Sequence, residues 1–298
     1  MRIGIDLGGT KTELIALDES GKTQLRLRKP TPAGSYTETI ALIRMMVLQA
    51  ESELQCTASV GIGTPGAAST RTGLMKNCNS TCLNGRPLQQ DLELALGREV
   101  RISNDANCFA LSEAVDGAAR DANVVFGVIL GTGVGGSIIA HRQVLEGINR
   151  IGGEWGHNPL PTPAADEQPG PACYCGRYGC IETWLSGPGM SRDHDRITGN
   201  HLTAERIAQL AGEGDAACAQ TMARYLDRLA RALAGVINIL DPDVIVLGGG
   251  LSNIDMLYEQ LPLRWGPYIF SDSVSTSLLP PMHGDSSGVR GAAWLWGQ

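Results

Sequence analysis

A chain of 298 residues, 43% hydrophobic and 18% charged, is long enough for two α/β lobes with ample buried core. Its formal net charge of −7 argues against a nucleic-acid surface but not against ATP, whose phosphates local amides and Mg²⁺ can meet. No basic segment leads into an apolar core at the N-terminus and no long apolar run follows, so the expectation is a soluble cytoplasmic protein without a membrane partner.

Arg2 to Ile15 reads as strand, glycine turn, strand. Ile3, Ile5 and Leu7 lead into Gly8-Gly9-Thr10-Lys11, and Leu14, Ile15 and Leu17 lead out. Glycines let a backbone approach a ligand closely, and their amides can cradle an anion. Asp6 ends the first strand beside the turn, a suitable place to hold a hydrated magnesium ion. Taken alone the stretch could equally be a plain β-hairpin. It lacks the Walker spacing, and a strand rather than a helix follows. The plan then recurs: Val128-Ile129-Leu130, the turn Gly131-Thr132-Gly133, and a second apolar strand through Ile138 and Ile139. Two such hairpins suggest two related lobes with a nucleotide between them.

Gln24–Arg28 reads as a third strand and Thr37–Leu54 as a helix with Ile40, Ile43, Val47, Ala50 and Leu54 inward. Ser59–Gly63 is a strand, 73–87 strand plus loop, Asp91–Leu96 a short helix, and Val100–Ser103 a strand stopping at Asn104-Asp105. A helix follows over Ala106–Ala114 with Asp105 at its N-cap position. Residues 159–171 form a proline-rich, aperiodic loop. Met222, Leu226, Leu229, Leu233, Val236 and Leu240 mark the longest helix, over 215–240. Val244–Leu247 reads as a buried strand capped by Gly248-Gly249-Gly250, followed by a helix from Ile254 and a closing helix over 288–296. Of eight cysteines, Cys56, Cys78, Cys82, Cys108 and Cys218 are scattered and read as reduced packing residues.

The order βββαβα, repeated with an insertion, is the duplicated plan of the actin-like ATPases. Asp6-Leu7-Gly8-Gly9-Thr10-Lys11, Asn104-Asp105, Gly153-Glu154-Trp155-Gly156-His157, Cys173-Tyr174-Cys175-Gly176-Arg177-Tyr178-Gly179-Cys180-Ile181-Glu182 and Gly248-Gly249-Gly250 together resemble the ROK family of bacterial sugar kinases. The resemblance covers essentially the whole chain. Glu154–Pro161 and His283–Arg290 look most like the fructokinase/mannokinase branch. The fold class implied is α/β, actin-like (ribonuclease H-like), with two lobes of mixed sheet flanked by helices. The lobes would be residues 1–117 with 286–298, and 118–285 carrying the cysteine loop.

The resemblance implies an ATP- and Mg²⁺-dependent kinase acting on a hexose 6-hydroxyl, with fructose first and mannose next. Glucose or an N-acetyl-hexosamine is the alternative. Asp105 would be the general base, although by pattern alone an Asn-Asp pair favours an N-cap. A helix N-terminus would keep that carboxylate ionised. Cys173, Cys175, Cys180 and His157 make a Cys₃His set suited to structural Zn²⁺; an odd number of clustered cysteines argues against a disulfide. Asn104 and Asp105 would take one edge of the sugar, and Glu154, His157 and Glu182 the other, with Asn79 nearby. His157 could serve zinc with one ring nitrogen and a sugar hydroxyl with the other. Gly8, Gly9, Thr10 and Lys11, Gly131, Thr132 and Gly133, and Gly248, Gly249 and Gly250 would contact the nucleotide, and Asp6 its magnesium.

Two features depart from the family pattern. Arg150 and Gly152 stand where glycine and alanine are usual, and 159–171 is a variable insertion. A homodimer is expected from the resemblance. Sugar-sensing repressors share the fold but carry a helix-turn-helix before the first phosphate motif, and negative charge also opposes that reading. A chaperone-type ATPase would not need the three-cysteine constellation.

Overall fold

The structure, a computed structural model, describes residues 1–78 and 80–297, and of Asp285 the backbone alone. Asn79 therefore lies outside the described residues. The chain divides into two compact units, Met1–Asp121 with Ile139–Gly152 and Met282–Gln298, and Ala122–Ile138 with Gly153–Pro281.

The first unit opens with β1 (Arg2–Leu7), β2 (Lys11–Leu17), β3 (Thr23–Pro30), α1 (Tyr36–Leu54), β4 (Ser59–Thr64), β5 (Ala67–Ala68), β6 (Met75–Lys76), α2 (Leu88–Leu96), β7 (Val100–Asn104) and α3 (Asp105–Val115). Its sheet has the order β3-β2-β1-β4-β7. The first three strands are an antiparallel meander, and β4 and β7 add in parallel. Apolar side chains from one face of the sheet and from α1 and α2 form its core, with Ile3, Ile5, Ile43, Val60 and Ile62 fully buried.

The second sheet follows the same plan. Its strands are β8 (Val124–Leu130), β9 (Val134–Ala140), β10 (Gln143–Val144), β11 (Val244–Gly248) and β12 (Ser277–Leu279), in the order β10-β9-β8-β11-β12. β11 pairs in parallel with both β8 and β12. Between β10 and β11 run α4 (Ile181–Leu185), α5 (Gly187–Thr198), α6 (Ala204–Gly212) and α7 (Ala216–Leu240); α8 (Asp255–Gln260) lies before β12. α7 buries Met222, Tyr225, Leu226, Leu229 and Leu233 in the second core, the face that the periodicity marks.

The duplicated α/β plan is thus present. α4, α5, α6 and β12 are additional to the elements read from sequence. α5 hides from a hydrophobic-period reading because it starts Gly-Pro-Gly and buries Asp193 and His194. Those residues are satisfied by polar partners: Arg224 Nε donates to Asp193 at 2.9 Å, and His194 Nδ1 lies 2.9 Å from the Thr221 hydroxyl. No described helix is long and apolar enough to cross a membrane.

The chain returns to the first unit as α9 (Ser287–Trp294). α9 lies directly on β1 and β4 because Gly4 and Gly61 present no side chain; a methyl on either would run into the carbonyl of Val289 or of Ala292. On its other side Gly291 meets the Cys108 carbonyl of α3 just as closely. Buried Glu113 of α3 accepts the Ser287 hydroxyl at 2.7 Å and the Met282 N–H at 2.9 Å, which fixes where α9 starts. Replacing Gly291 with alanine should force α3 and α9 apart and destabilise the protein by about 1–3 kcal/mol or more, the usual range for overpacking. A urea midpoint equal to that of the wild type would show that the helices yield freely.

Candidate active site

In the first unit β1 delivers Asp6 and β7 delivers Asn104-Asp105 to the same end of the sheet. Gly8 N–H donates to the Lys11 carbonyl at 3.0 Å, closing the turn, and the Thr31 hydroxyl donates to the Gly8 carbonyl at 2.8 Å. The N–H groups of Gly9 and Thr10 find no partner among the described residues, and both residues are exposed, as is Lys11. Such a turn can take an anion.

The α3 terminus corrects one expectation. Asn104, not Asp105, is the N-cap: its side chain accepts the Asn107 N–H at 2.7 Å. Asp105 is the first helical residue, and its Oδ1 accepts the Ala106 N–H at 2.8 Å. With Asn104 doing the capping, Asp105 is released from that task. Its protonation also differs from expectation. Desolvation raises the Asp105 pKa above the ordinary carboxylate value, outweighing the hydrogen bonds from Ala106 and its own N–H, although the residue keeps open surface on one side. The helix N-terminus does not win.

Asp6 behaves alike. Desolvation, then the charges of Asp105 and Glu13, push its pKa up to about 6, against the pull of Lys11. Glu13 lies opposite Asp6 across the β1–β2 ladder, buried, and accepts Arg26 Nε at 2.6 Å and Arg28 Nη2 at 2.6 Å. Asp105 thus sits close enough to raise the Asp6 pKa, as where carboxylates gather to hold a divalent cation.

In the second unit the β8–β9 turn has the same form. Gly131 N–H donates to the Gly133 carbonyl at 3.0 Å, and the Thr132 N–H has no partner among the described residues. The Gly131 carbonyl accepts the Gly187 N–H at 2.8 Å, tying the turn to α5. Gly131, Thr132 and Gly250 line a cavity of about 550 Å³ together with Gly187, Pro188, Ser191 and the 201–205 segment that starts α6. Gly248 is buried within β11 and does not line it; Gly249 turns the chain with φ +80°. The α5 and α6 contributions escaped the sequence reading. Their only signal is the small-residue run Ser186-Gly187-Pro188-Gly189, which reads as an ordinary turn.

The Cys₃His set comes together. The ligand atoms of His157, Cys173, Cys175 and Cys180 lie within 4.8 Å of one another. His157 Nδ1 is 3.6 Å from Cys173 Sγ, and Cys175 Sγ is 3.6 Å from Cys180 Sγ. Ligands around tetrahedral zinc lie roughly 3.8 Å apart, so the donor set fits that ion. Backbone bonds build the frame: Cys173 N–H to the Arg177 carbonyl at 2.8 Å, Leu160 N–H to the Gly179 carbonyl at 2.9 Å, and Ile181 N–H to the Asn158 carbonyl at 2.9 Å. His157 Nε2 faces the Tyr174 hydroxyl at 2.9 Å, the kind of outer partner that fixes a ligand histidine's orientation. Of the flanking carboxylates, Glu154 is exposed, while Glu182 Oε2 accepts the Val134 N–H at 3.0 Å and so braces the β8–β9 turn.

A profile of the ROK family matches residues 2–298. The chain belongs to the ROK family. It is 40% identical over 299 residues to an N-acetyl-D-glucosamine kinase of Vibrio atlanticus (strain LGP32), covering 99% of each chain. Identity to an N-acetyl-D-glucosamine kinase of Escherichia coli O6:H1 is likewise 40% over 299 residues, with 99% of each covered. The crystal structure of a ROK hexokinase from Thermus thermophilus superposes with a TM-score of 0.88 at 29% identity, covering 99% of this chain and 97% of that one. The fold is therefore that of the actin-like ATPases, as the family resemblance implies.

The comparisons overturn the preference for fructose. The full-length relatives at 40% identity are N-acetyl-D-glucosamine kinases, not members of a fructokinase/mannokinase branch. The structure shows why the two branch segments mislead. In His283–Arg290, His283 Nε2 lies 3.1 Å from the Asp116 carboxylate, Arg290 pairs with the same group, and Ser287 bonds Glu113. That segment seats α9. Asn158–Leu160 likewise braces the cysteine loop through its backbone. These contacts of His283–Arg290 and of Asn158–Leu160 are structural, and Glu154 and His157 are the residues of the first segment left as candidates for the sugar.

If the Cys₃His set holds zinc, mass spectrometry of the purified protein should find one equivalent in the wild type and none with Cys180→Ala, whose melting temperature should also fall. Full metal content in that variant would remove Cys180 from the ligand set.

Proposed function

We propose that this chain is a sugar kinase that transfers the γ-phosphoryl group of ATP to the 6-hydroxyl of N-acetylglucosamine. The carrying observation for the chemistry is Asp105: a carboxylate freed from capping, with a raised pKa, at the mouth of a helix beside Asp6. The carrying observation for the sugar is the identity of the full-length relatives.

Phosphoryl transfer asks for positioning, charge compensation and a proton acceptor. Asp105 is placed to accept the hydroxyl proton, and its raised pKa makes it a stronger acceptor than an exposed aspartate. Asn104 caps α3 and offers its amide toward neighbouring hydroxyls. The N–H groups of Gly9 and Thr10, which have no partner among the described residues, would meet phosphate oxygens in the first unit with Lys11 as a cation, and the Thr132 N–H would do the same in the second unit. The second-unit cavity, walled by α5 and the start of α6, has the size and the backbone character to take an adenosine. Asp6 would hold Mg²⁺, which neutralises charge on the transferred group when bound. Glu154 and Glu182 would accept from sugar hydroxyls, whereas His157, whose Nε2 faces the Tyr174 hydroxyl at 2.9 Å, would reach one only by exchanging that partner. Zn²⁺ at His157, Cys173, Cys175 and Cys180 would be structural, holding that loop in shape.

A coupled assay for ADP with Mg-ATP decides the sugar. N-acetylglucosamine should give the highest kcat/KM in a panel containing glucose, glucosamine, N-acetylmannosamine and fructose. A panel led by any other sugar would overturn the substrate reading while leaving the kinase reading intact.

The protonation states give a second test. Asp105 and Asp6 act only when ionised and both have raised pKa values, so kcat/KM should climb as pH rises through about 6, the value to which Asp6 is pushed. Stability runs the other way. The unfolded chain loses the Asp6 proton near 3.8 and the folded chain only near 6, so the fold binds more protons in between. Stability should therefore fall as pH rises from about 4 to 6. Asp105→Asn should stay folded and lose about 10²–10⁴ in kcat. Undiminished turnover in that variant would exclude Asp105 as the base.

A further inference from the structure

Arg150 adopts a backbone conformation that glycine adopts freely and other residues uncommonly, shared among the described residues by Gln55, Asn77, His141, Arg142, Thr162 and Asp241. Its φ is +52°. There a side chain crowds its own carbonyl, and such strain persists only where the surroundings enforce it. The loop enforces it. Arg150 N–H donates to the Gly147 carbonyl at 3.1 Å, and Gly152 N–H donates to the Glu146 carbonyl at 3.0 Å. A methyl on Gly152 would strike the Leu145 carbonyl, so the chain can close on itself only with glycine at that point.

The side chain is directed as well as the backbone. Arg150 Nε lies 3.6 Å from the Glu146 carboxylate. Glu146 Oε1 accepts the Ser103 hydroxyl at 3.4 Å, and Ser103 Oγ accepts the Asn107 amide at 3.1 Å. Asn107 N–H donates to the Asn104 side chain. A run of polar contacts therefore leads from Arg150 to the residue preceding Asp105. A half-exposed ion pair contributes little by itself. With 45% and 39% of the two side chains exposed, Glu146 alone does not account for a strained arginine. The guanidinium keeps donors beyond that pair.

We propose that Arg150 is a specificity-determining residue, its guanidinium donating a hydrogen bond to the carbonyl oxygen of the sugar's 2-acetamido group. A guanidinium only donates, so it suits an acceptor that brings no proton of its own. An amide carbonyl is such a group, whereas a sugar hydroxyl needs a partner for its proton too. The proposal rests on the kinase reading and on N-acetylglucosamine as substrate, and adds the residue that recognises the acyl group.

The test compares kcat/KM for N-acetylglucosamine and for glucose, which lacks the acyl group, in wild type and in Arg150→Gly and Arg150→Lys, with a melting temperature for each. Glycine relieves the strain, so the Arg150→Gly protein should melt at or above the wild-type temperature. Its preference for N-acetylglucosamine over glucose should fall about 10- to 100-fold, as for loss of a charged hydrogen bond, chiefly through KM. The lysine variant should recover part of that preference. An unchanged preference in a well-folded Arg150→Gly protein would overturn the proposal. A wild type that phosphorylates glucose but not N-acetylglucosamine would overturn both this proposal and the substrate reading; loss of preference only in the variant separates the two.

Discussion

The carboxylate pair of the first unit depends on how closely α9 is allowed to lie against the sheet. Gly4 on β1, Gly61 on β4 and Gly291 on α9 remove the side chains that would hold α9 off β1, β4 and α3. Asp6 is the penultimate residue of β1 and Asp105 the first of α3, so the spacing of these elements sets the spacing of the two carboxylates. Desolvation is the leading cause of both raised pKa values, although Asp105 keeps open surface on one side. Glu113 completes the arrangement from inside α3 by accepting the backbone and hydroxyl groups that open the C-terminal segment. Packing and protonation are thus one constraint seen twice. A larger residue at the helix contact would move a carboxylate and rehydrate it together.

The second unit solves a different problem, how to hold an irregular loop. Residues 159–171 have no periodicity to pack by. The helix α7 captures them through charge instead. Arg231 donates to the Pro161 and Thr162 carbonyls at 3.0 and 2.9 Å, and Glu167 receives Arg228 at 2.7 Å and Arg231 at 3.0 Å. Arg228 also reaches Asp193 of α5 at 3.1 Å and stacks its guanidinium over Trp184 of α4 at 4.3 Å. All four charged groups are nearly dry. Buried pairs of this kind add little net stability compared with apolar packing, yet removing one partner is severe. They fix which path a loop takes. Here that path leads from the loop into the cysteine frame, where Ala172 and Tyr178 pair.

Strand–turn–strand duplication, the two glycine turns and the Cys₃His spacing were legible because each is local: a few consecutive residues set backbone and donor type together. α1, α7 and β11 were legible from their apolar periods. α4 and α5 were not, since their inward faces carry Trp184 and Asp193 matched to Arg228 and His194 matched to Thr221, all far along the chain; α6 is short and buries only Ala204 and Ile207. The capping role of Asn104 was missed because Asn and Asp are interchangeable caps by type, and only geometry shows which of two neighbours bonds the third amide. The raised Asp105 pKa was missed for a related reason. A helix N-terminus is visible in sequence, but the desolvation that outweighs it is set by residues elsewhere.

The sugar illustrates the same division. Asn104, Asp105, Glu154, His157 and Glu182 offer donors and acceptors for vicinal hydroxyls, which hexoses share, so their presence defines a reaction and not a substrate. Discrimination comes from a group that meets a substituent only one sugar carries; a site built to hydrogen-bond such a group rejects analogues lacking it strongly, whereas extra apolar room does not. Such a residue need not belong to any motif. It is better recognised by a physical anomaly, a conformation the chain would not adopt without return. Arg150 combines a left-handed backbone with a polar route through Glu146, Ser103 and Asn107 to Asn104. The segments that suggested fructose were matched on residues whose work is to seat α9 and brace the cysteine loop, and packing residues can be common to enzymes whose substrates differ.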